Sequence, residues 1–244
     1  MESPASNVGP GSKAVQVRSM FAEIAPRYDF LNHALSLNID KRWRRLVIRQ
    51  VVRHLKRPGA RALDLCCGTA DLSIELGAMG TTVGVDFCRP MLDLGRKKVQ
   101  RSNLPIELIE GDALNLPVAD SAFDVVTIAF GLRNLDGTLA GLREIYRVLK
   151  NEGRCVVLEF SRPQLPVFRG LFHFYFTRVL PYIGNAVSGS SFAYKYLPES
   201  VQSFPDQKDL AGLMESVGFS GVRYYNLFGG VASLHIGDKQ YAGC

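Results

Sequence analysis

Two carboxylates 22 residues apart, Asp64 and Asp86, bracket a short turn of small residues, Cys66-Cys67-Gly68-Thr69-Ala70. The run 61–65 before the turn is apolar and reads as a buried strand. Leu72, Ile74 and Leu76 after it have helical spacing. A strand, a tight turn and a helix aim backbone N–H groups at a ligand beside a helix N-terminus. Gly68 suits the turn, because a side chain there would hold a ligand off the main chain. A second strand, 82–86, ends in a carboxylate. In a nucleotide-binding α/β sheet, an acid at that place accepts hydrogen bonds from ribose hydroxyls. The turn lacks both the Gly-x-Gly-x-x-Gly and the Gly-x-x-x-x-Gly-Lys pattern, which argues against a dinucleotide fingerprint and a P-loop.

The elements that must position these acids alternate between strands and helices. Further strands are expected at 106–110, 123–130 and 154–160, with helices at 91–100 and 136–149 between them. The 123–130 run is nearly all apolar, as a central parallel strand should be. Alternation of this kind implies a doubly wound α/β sheet. Ligands bind outside the C-terminal ends of such strands, where Asp86, Asp112, Arg133 and Glu159 all fall. Asp206 should cap a helix to Val217, and 222–227 with 231–236 should close the sheet as an antiparallel hairpin around Gly229-Gly230. Ahead of the core, 13–25 is a helix ended by Pro26, and 27–38 is a loop or short helix carrying Tyr28, Asp29, Asn32 and His33. Asp40 is a plausible N-cap for a basic helix over 41–55.

The stretch 163–200 breaks the pattern. Ten large apolar residues crowd into 168–183, more than one helix face needs, so part of this helical insertion should line an apolar pocket or touch a membrane surface. Residues 1–12 read as a disordered leader and 240–244 as a tail. The chain carries 29 basic and 23 acidic residues for a net charge of +6, scattered enough to argue against a nucleic-acid partner. The densest cluster, Lys41-Arg42-Trp43-Arg44-Arg45 with Arg49, Arg53, Lys56 and Arg57, reads first as a solvated helix face and second as a contact for anionic lipid headgroups or an acidic partner. Five cysteines without metal spacing read as reduced thiols in a cytoplasmic protein. No signal peptide and no spanning helix are expected, nor is a metal.

The acid–turn–acid arrangement resembles a class I methyltransferase, which binds S-adenosylmethionine; a plain structural turn is the alternative. The resemblance sharpens at Tyr28-Asp29-Phe30-Leu31-Asn32-His33-Ala34-Leu35-Ser36, at Phe130-Gly131-Leu132-Arg133-Asn134, at Arg147-Val148-Leu149-Lys150 through Leu158-Glu159-Phe160-Ser161, and at Tyr194-Lys195-Tyr196-Leu197-Pro198-Glu199-Ser200. These segments, in order over 13–239, resemble the ubiquinone/menaquinone biosynthesis C-methyltransferase family. That resemblance implies a doubly wound, mostly parallel seven-stranded sheet with an antiparallel C-terminal hairpin. It implies a single domain over 13–239, with an N-terminal helical lid over 13–57 and the aromatic insertion over 163–200.

It also implies methyl transfer from S-adenosylmethionine to a ring carbon of a prenylated quinol, most readily demethylmenaquinol. A ubiquinol precursor, another small apolar acceptor and a non-catalytic quinone-binding role are the alternatives. Asp64, Gly68, Thr69, Asp86, Asp112, Ala113 and Ala129 are the expected cofactor contacts. Arg133 and Asn134 would meet the quinol oxygens, although Arg133 could instead be a structural arginine paired to a nearby acid. His33 is a candidate proton acceptor, and Tyr28, Asp29, Asn32 and Tyr194 belong to the lid and acceptor side. The expected partners are a prenylated quinol, membrane lipid met peripherally at the inner face, and a second copy in a homodimer. The chain departs from the family where Asp40 replaces a usual His, Ala70 a usual Gly, Ala129 a common Ser and Asn151-Glu152 a frequent Pro-Gly.

Overall fold

The computed structural model describes residues 13–36, 38–164, 168, 170 and 191–241. The leader expected over 1–12 lies outside these residues, as do most of the insertion and the last three residues of the tail.

Seven strands form one sheet in the order β3-β2-β1-β4-β5-β7-β6. They are β1 Arg61–Leu65, β2 Thr81–Asp86, β3 Ile106–Glu110, β4 Phe123–Ala129, β5 Leu149–Phe160, β6 Phe219–Leu227 and β7 Ala232–Lys239. The pairs β1–β2, β1–β4, β2–β3 and β4–β5 are parallel, whereas β7 runs antiparallel to both β5 and β6. The expected hairpin is therefore present, with β7 the one reversed strand. β5 begins five residues earlier than its apolar pattern suggests. Leu149 pairs with Phe123 and Arg154 with Val125, so the intervening residues bulge outward.

The helices are α1 Lys13–Ile24, α2 Tyr28–Leu35, α3 Ile39–Leu55, α4 Asp71–Gly77, α5 Arg89–Ser102, α6 Thr138–Val148, α7 Ser191–Ser203 and α8 Gln207–Val217. Alternate residues of a central strand face opposite sides of the sheet. Val157 joins Leu142, Ile145, Leu210 and Met214 beneath α6 and α8. Its neighbours Val156 and Leu158 join Trp43, Val47, Val51 and Leu55 of α3. Of the segment 13–57, α3 has its inner face in the core, while α1 and α2 lie over the strand tips.

Two expected caps fare differently. The Asp206 side chain accepts from the backbone N–H groups of Lys208 and Asp209, and Gly218 ends α8 at φ +113°. Asp40 is not a cap. It lies in the first turn of α3, after Asn38 at φ +60°, and accepts from the Ser36 hydroxyl and the Arg44 guanidinium. A cationic partner four residues ahead on its own helix outbids the open backbone groups for this carboxylate.

Candidate active site

The C-terminal ends of β1, β2, β3 and β4 surround a cavity of about 810 Å³, measured to its open mouth. The turn after β1 contributes Cys66 and Gly68, and the tip of β2 contributes Asp86 and Phe87. The segment after β3 supplies Asp112, Ala113 and Leu114, and the end of β4 supplies Ala129, Phe130 and Gly131. Ala14 and Phe21 of α1 and Tyr28 of α2 close it from above.

The turn after β1 holds its shape by backbone conformation. Cys66, Gly68 and Ala70 stand at φ +55°, +55° and +67°, alternate left-handed residues in one tight loop. Ala70 adopts that conformation although it carries a Cβ, at a cost of roughly 1 kcal/mol or more. A Cβ added at Gly131 would lie 2.4 Å from the Cβ of Cys66, so two walls of the cavity meet there only because one of them is glycine.

Asp86 sits at the centre of the floor and is buried. One carboxylate oxygen accepts from the Gly68 N–H at 2.8 Å and the other from the Cys88 N–H at 2.8 Å. Burial nevertheless raises its pKa to about 6. The Phe87 N–H is a third backbone donor, and three donors leave the carboxylate acceptor capacity for a ligand hydroxyl. Asp112 also lines the cavity, while one of its oxygens accepts from the Leu114 N–H at 2.9 Å.

Two expected cofactor contacts lie elsewhere. Asp64 does not line the cavity. It faces the side of β1 under α4 and accepts from the hydroxyls of Ser73 at 2.6 Å and Thr127 at 3.0 Å, and burial raises it to about 6. Thr69 is also buried away from the wall; its hydroxyl donates to Asp29 at 2.6 Å and accepts from Lys98 at 2.9 Å. Lys98 in turn contacts Asp29 at 2.6 Å and Asp71 at 2.7 Å, which fastens α2 to α5 and to the turn after β1. Asp29 is therefore a fastening of the cover. Asn32 hydrogen-bonds the Tyr28 hydroxyl, whose pKa burial pushes up.

Arg133 is paired in the second of the two ways open to it. Its Nη1 meets the fully buried Glu159 carboxylate at 2.6 Å and donates to the Phe130 carbonyl at 2.6 Å. Its guanidinium lies 5.3 Å over the Phe160 ring, and its Nε has no hydrogen-bond partner among the described residues. The Arg133 side chain does not border the cavity; Asn134 does. Asn134 Oδ1 accepts from the Tyr196 hydroxyl at 3.0 Å, and its amide nitrogen donates to the Phe130 carbonyl at 3.3 Å. The second amide hydrogen remains for a ligand oxygen. Lys13 completes the turn, donating to the carbonyls of Arg133 and Leu135 at 2.9 Å each. The side chains of His33 and Tyr194 lie outside the described residues.

Several contributors carry no chemical signature in the sequence. Phe21, Phe87 and Leu114 read as ordinary core residues, although Phe87 follows the acid at the tip of β2 and could have been found by that position. Lys98 and Tyr196 were legible only as a helix cation and a motif aromatic. Glu159 was placed at a strand tip without a partner.

The profile of the ubiE/COQ5 methyltransferase family matches residues 10–239. A ubiquinone/menaquinone biosynthesis C-methyltransferase UbiE of Geotalea uraniireducens is 45% identical over 233 residues, 93% of this chain and 97% of the relative. A demethylmenaquinone methyltransferase of Thermus thermophilus is 48% identical over 223 residues, 90% of this chain and 100% of the relative. Among solved structures, the [4+2]-cyclase SpnF superposes with a TM-score of 0.71 at 16% identity, covering 96% of this chain and 99% of its own. A SAM-dependent methyltransferase of Thermotoga maritima gives 0.60 at 18% identity, covering 91% and 99%. At such identities the likeness is one of fold.

Proposed function

The chain belongs to the ubiE/COQ5 methyltransferase family, and from that premise we propose that it moves a methyl group from S-adenosylmethionine to a ring carbon of a prenylated quinol, demethylmenaquinol first among the candidates. The observation that carries this reading is the covered cavity with Asp86 and Asp112 on its wall at neighbouring strand tips. Fold alone would not carry it, because a [4+2]-cyclase shares the architecture.

The residues present fit an adenosine-bearing sulfonium. Asp86 keeps lone pairs for ribose hydroxyls, and its backbone donors hold it in place. Phe87, Met91 and Leu114 give the cavity apolar surfaces suited to a purine. Asp112 and Ala113 line the same wall, and in this reading the carboxylate and the Ala113 N–H meet the adenine edge. The cofactor, when bound, supplies an already electrophilic methyl group. The protein's task is then to align the acceptor carbon, exclude water and ease ionisation of a quinol hydroxyl, since the phenolate spreads charge onto the ring.

In this reading Asn134 offers its free amide hydrogen to a quinol oxygen, and Tyr196 holds that amide the right way round. Arg133 acts from beneath. Its charge is balanced by Glu159, so it shapes the 132–134 turn and supplies no net cation to the acceptor. The quinol is a membrane lipid, so the reading places the protein in the cytoplasm, peripheral on the inner membrane face.

The test is to express the chain in a host lacking its own quinol C-methyltransferase and to weigh the lipid quinones. A gain of one methylene mass on the naphthoquinone supports the reading. The same gain on the benzoquinone precursor moves the acceptor to that branch. No gain on either, with the protein folded, rejects it.

A further inference from the structure

The inner face of α3 is fixed by Trp43, Val47, Val51 and Leu55, all buried. A helix turns about 100° per residue, so Lys41, Arg42, Arg45, Arg49, Arg53 and Lys56 fall within an arc of roughly 120° on the opposite side. All six are exposed. The stripe is about 22 Å long at the ordinary rise of a helix.

The stripe is countered only in part: Asp71 and Glu75 border the same groove as Lys41 and Arg45, and Glu75 feels the charge of Arg45. The acids nearest to it, Asp40, Asp71 and Glu75, close on Arg44, at 2.8, 3.4 and 3.3 Å. Among the described residues none of the six exposed cations makes an ion pair within 4 Å. Lys41, Arg45, Arg49 and Arg53 also follow one another at intervals of four, where like charges on a helix repel. A solvated face gains nothing from that spacing. A counter-charged surface does.

The stripe begins at the mouth end of the molecule. Trp43 packs on Phe130 and Phe160, at 5.9 and 6.3 Å between rings, just past the tips of β4 and β5. Next to it runs α2, whose Tyr28 lines the cavity and whose Phe30 is 66% exposed. No helix among the described residues is long and apolar enough to cross a membrane.

We propose that the cationic stripe of α3 docks the protein on anionic lipid headgroups and so sets the cavity mouth at the bilayer from which the acceptor comes. The choice of lipid rests on the proposed function, since a prenylated quinol resides in that layer. The headgroup contact is electrostatic, with a weight that grows with each basic residue held near the surface and falls off within a Debye length.

The test is flotation of the full chain with vesicles of phosphatidylcholine alone and of phosphatidylcholine with about a third phosphatidylglycerol. The expected result is capture by the anionic vesicles only, lost in 0.5 M salt. Replacing Arg45, Arg49 and Arg53 together with Gln should weaken partitioning roughly 100-fold, at the usual weight of a basic residue near such a surface. S-adenosylhomocysteine binding and turnover on a water-soluble short-tailed quinol should not change. Should that variant fail to fold, Lys41→Gln with Lys56→Gln asks the same question at the two ends of the stripe, with an expected drop of roughly 30-fold. Equal capture by neutral vesicles, or unchanged capture of a folded variant, overturns the proposal. So does tighter binding to a duplex DNA or an acidic protein than to anionic vesicles. If the wild-type chain floats but never methylates the soluble quinol, the docking stands and the functional reading fails.

Discussion

The floor of the cavity and its cover are held by different physics. The floor is fixed by backbone conformation at Cys66, Gly68 and Ala70, and by a buried ion pair, Arg133–Glu159, whose side chains are 7% and 0% exposed. The cover rests on a small buried cluster, with Ala25 of the cover against Cys88 and Met91, but its ion pairs are in partial contact with water. Lys98 and Asp29 are 26% and 36% exposed, and Arg18 and Glu110 are 51% and 32%. Exposed pairs contribute little, whereas breaking a buried pair strands a charge in a medium that solvates it poorly. The difference teaches that the polar fastening of the floor is sealed from water while the polar fastenings of the cover are wet.

The sharpest test of that contrast is Arg133→Ala. It leaves Glu159 fully buried without its cation and should cost about 3–5 kcal/mol in urea unfolding. Next comes Asp86→Ala, which removes a charged acceptor from the floor and should weaken S-adenosylhomocysteine by 10- to 100-fold in calorimetry, at the usual ~1.5–3 kcal/mol for a hydrogen bond to a charged group. Its pH dependence sharpens the point. Because burial holds Asp86 at about 6, lowering the pH from 7 to 5 should protonate it and weaken the nucleoside, and Asp86→Asn should flatten that profile. The same raised pKa values at Asp64 and Asp86 mean that ionisation opposes folding. Their contribution is fully present below about pH 4 and is lost as the pH rises through about 6.

Tyr196→Phe sits between the two regions. Loss of its bond to Asn134 should lower turnover by about fivefold, near 1 kcal/mol, with nucleoside affinity unchanged. Lys98→Ala loosens the cover. It should move stability by about 1 kcal/mol or less while speeding nucleoside release severalfold in stopped-flow measurements. Smallest of all, Arg18→Ala should shift stability by no more than about 0.5 kcal/mol. If Lys98→Ala costs as much stability as Arg133→Ala, the contrast between floor and cover is wrong.

The floor was legible in the sequence because its parts are local. A strand, a small-residue turn and an acid one unit later fall within 61–86, and the cap at Asp206 acts over three residues. The cover was not legible in the same way. Asp29, Thr69 and Lys98 meet across separations of 40 and 29 residues, and nothing in the letters says which lysine of α5 turns inward. Asp64 misled for a related reason. It follows the family pattern at the end of the first strand, yet a strand alternates its faces, and this residue points at Ser73 and Thr127. Arg133 was read with two outcomes, and only the fold could bring Glu159 to it from 26 residues away.

The three-residue turn Leu132–Asn134 is where distant parts of the chain converge. Lys13 reaches it from the first helix, Glu159 from the fifth strand and Tyr196 from the seventh helix. A wedge gripped from three directions cannot shift for one neighbour without being felt by the others. Nucleoside on one side and acceptor on the other should therefore change each other's dissociation constants by the same factor, an equality that thermodynamic linkage imposes.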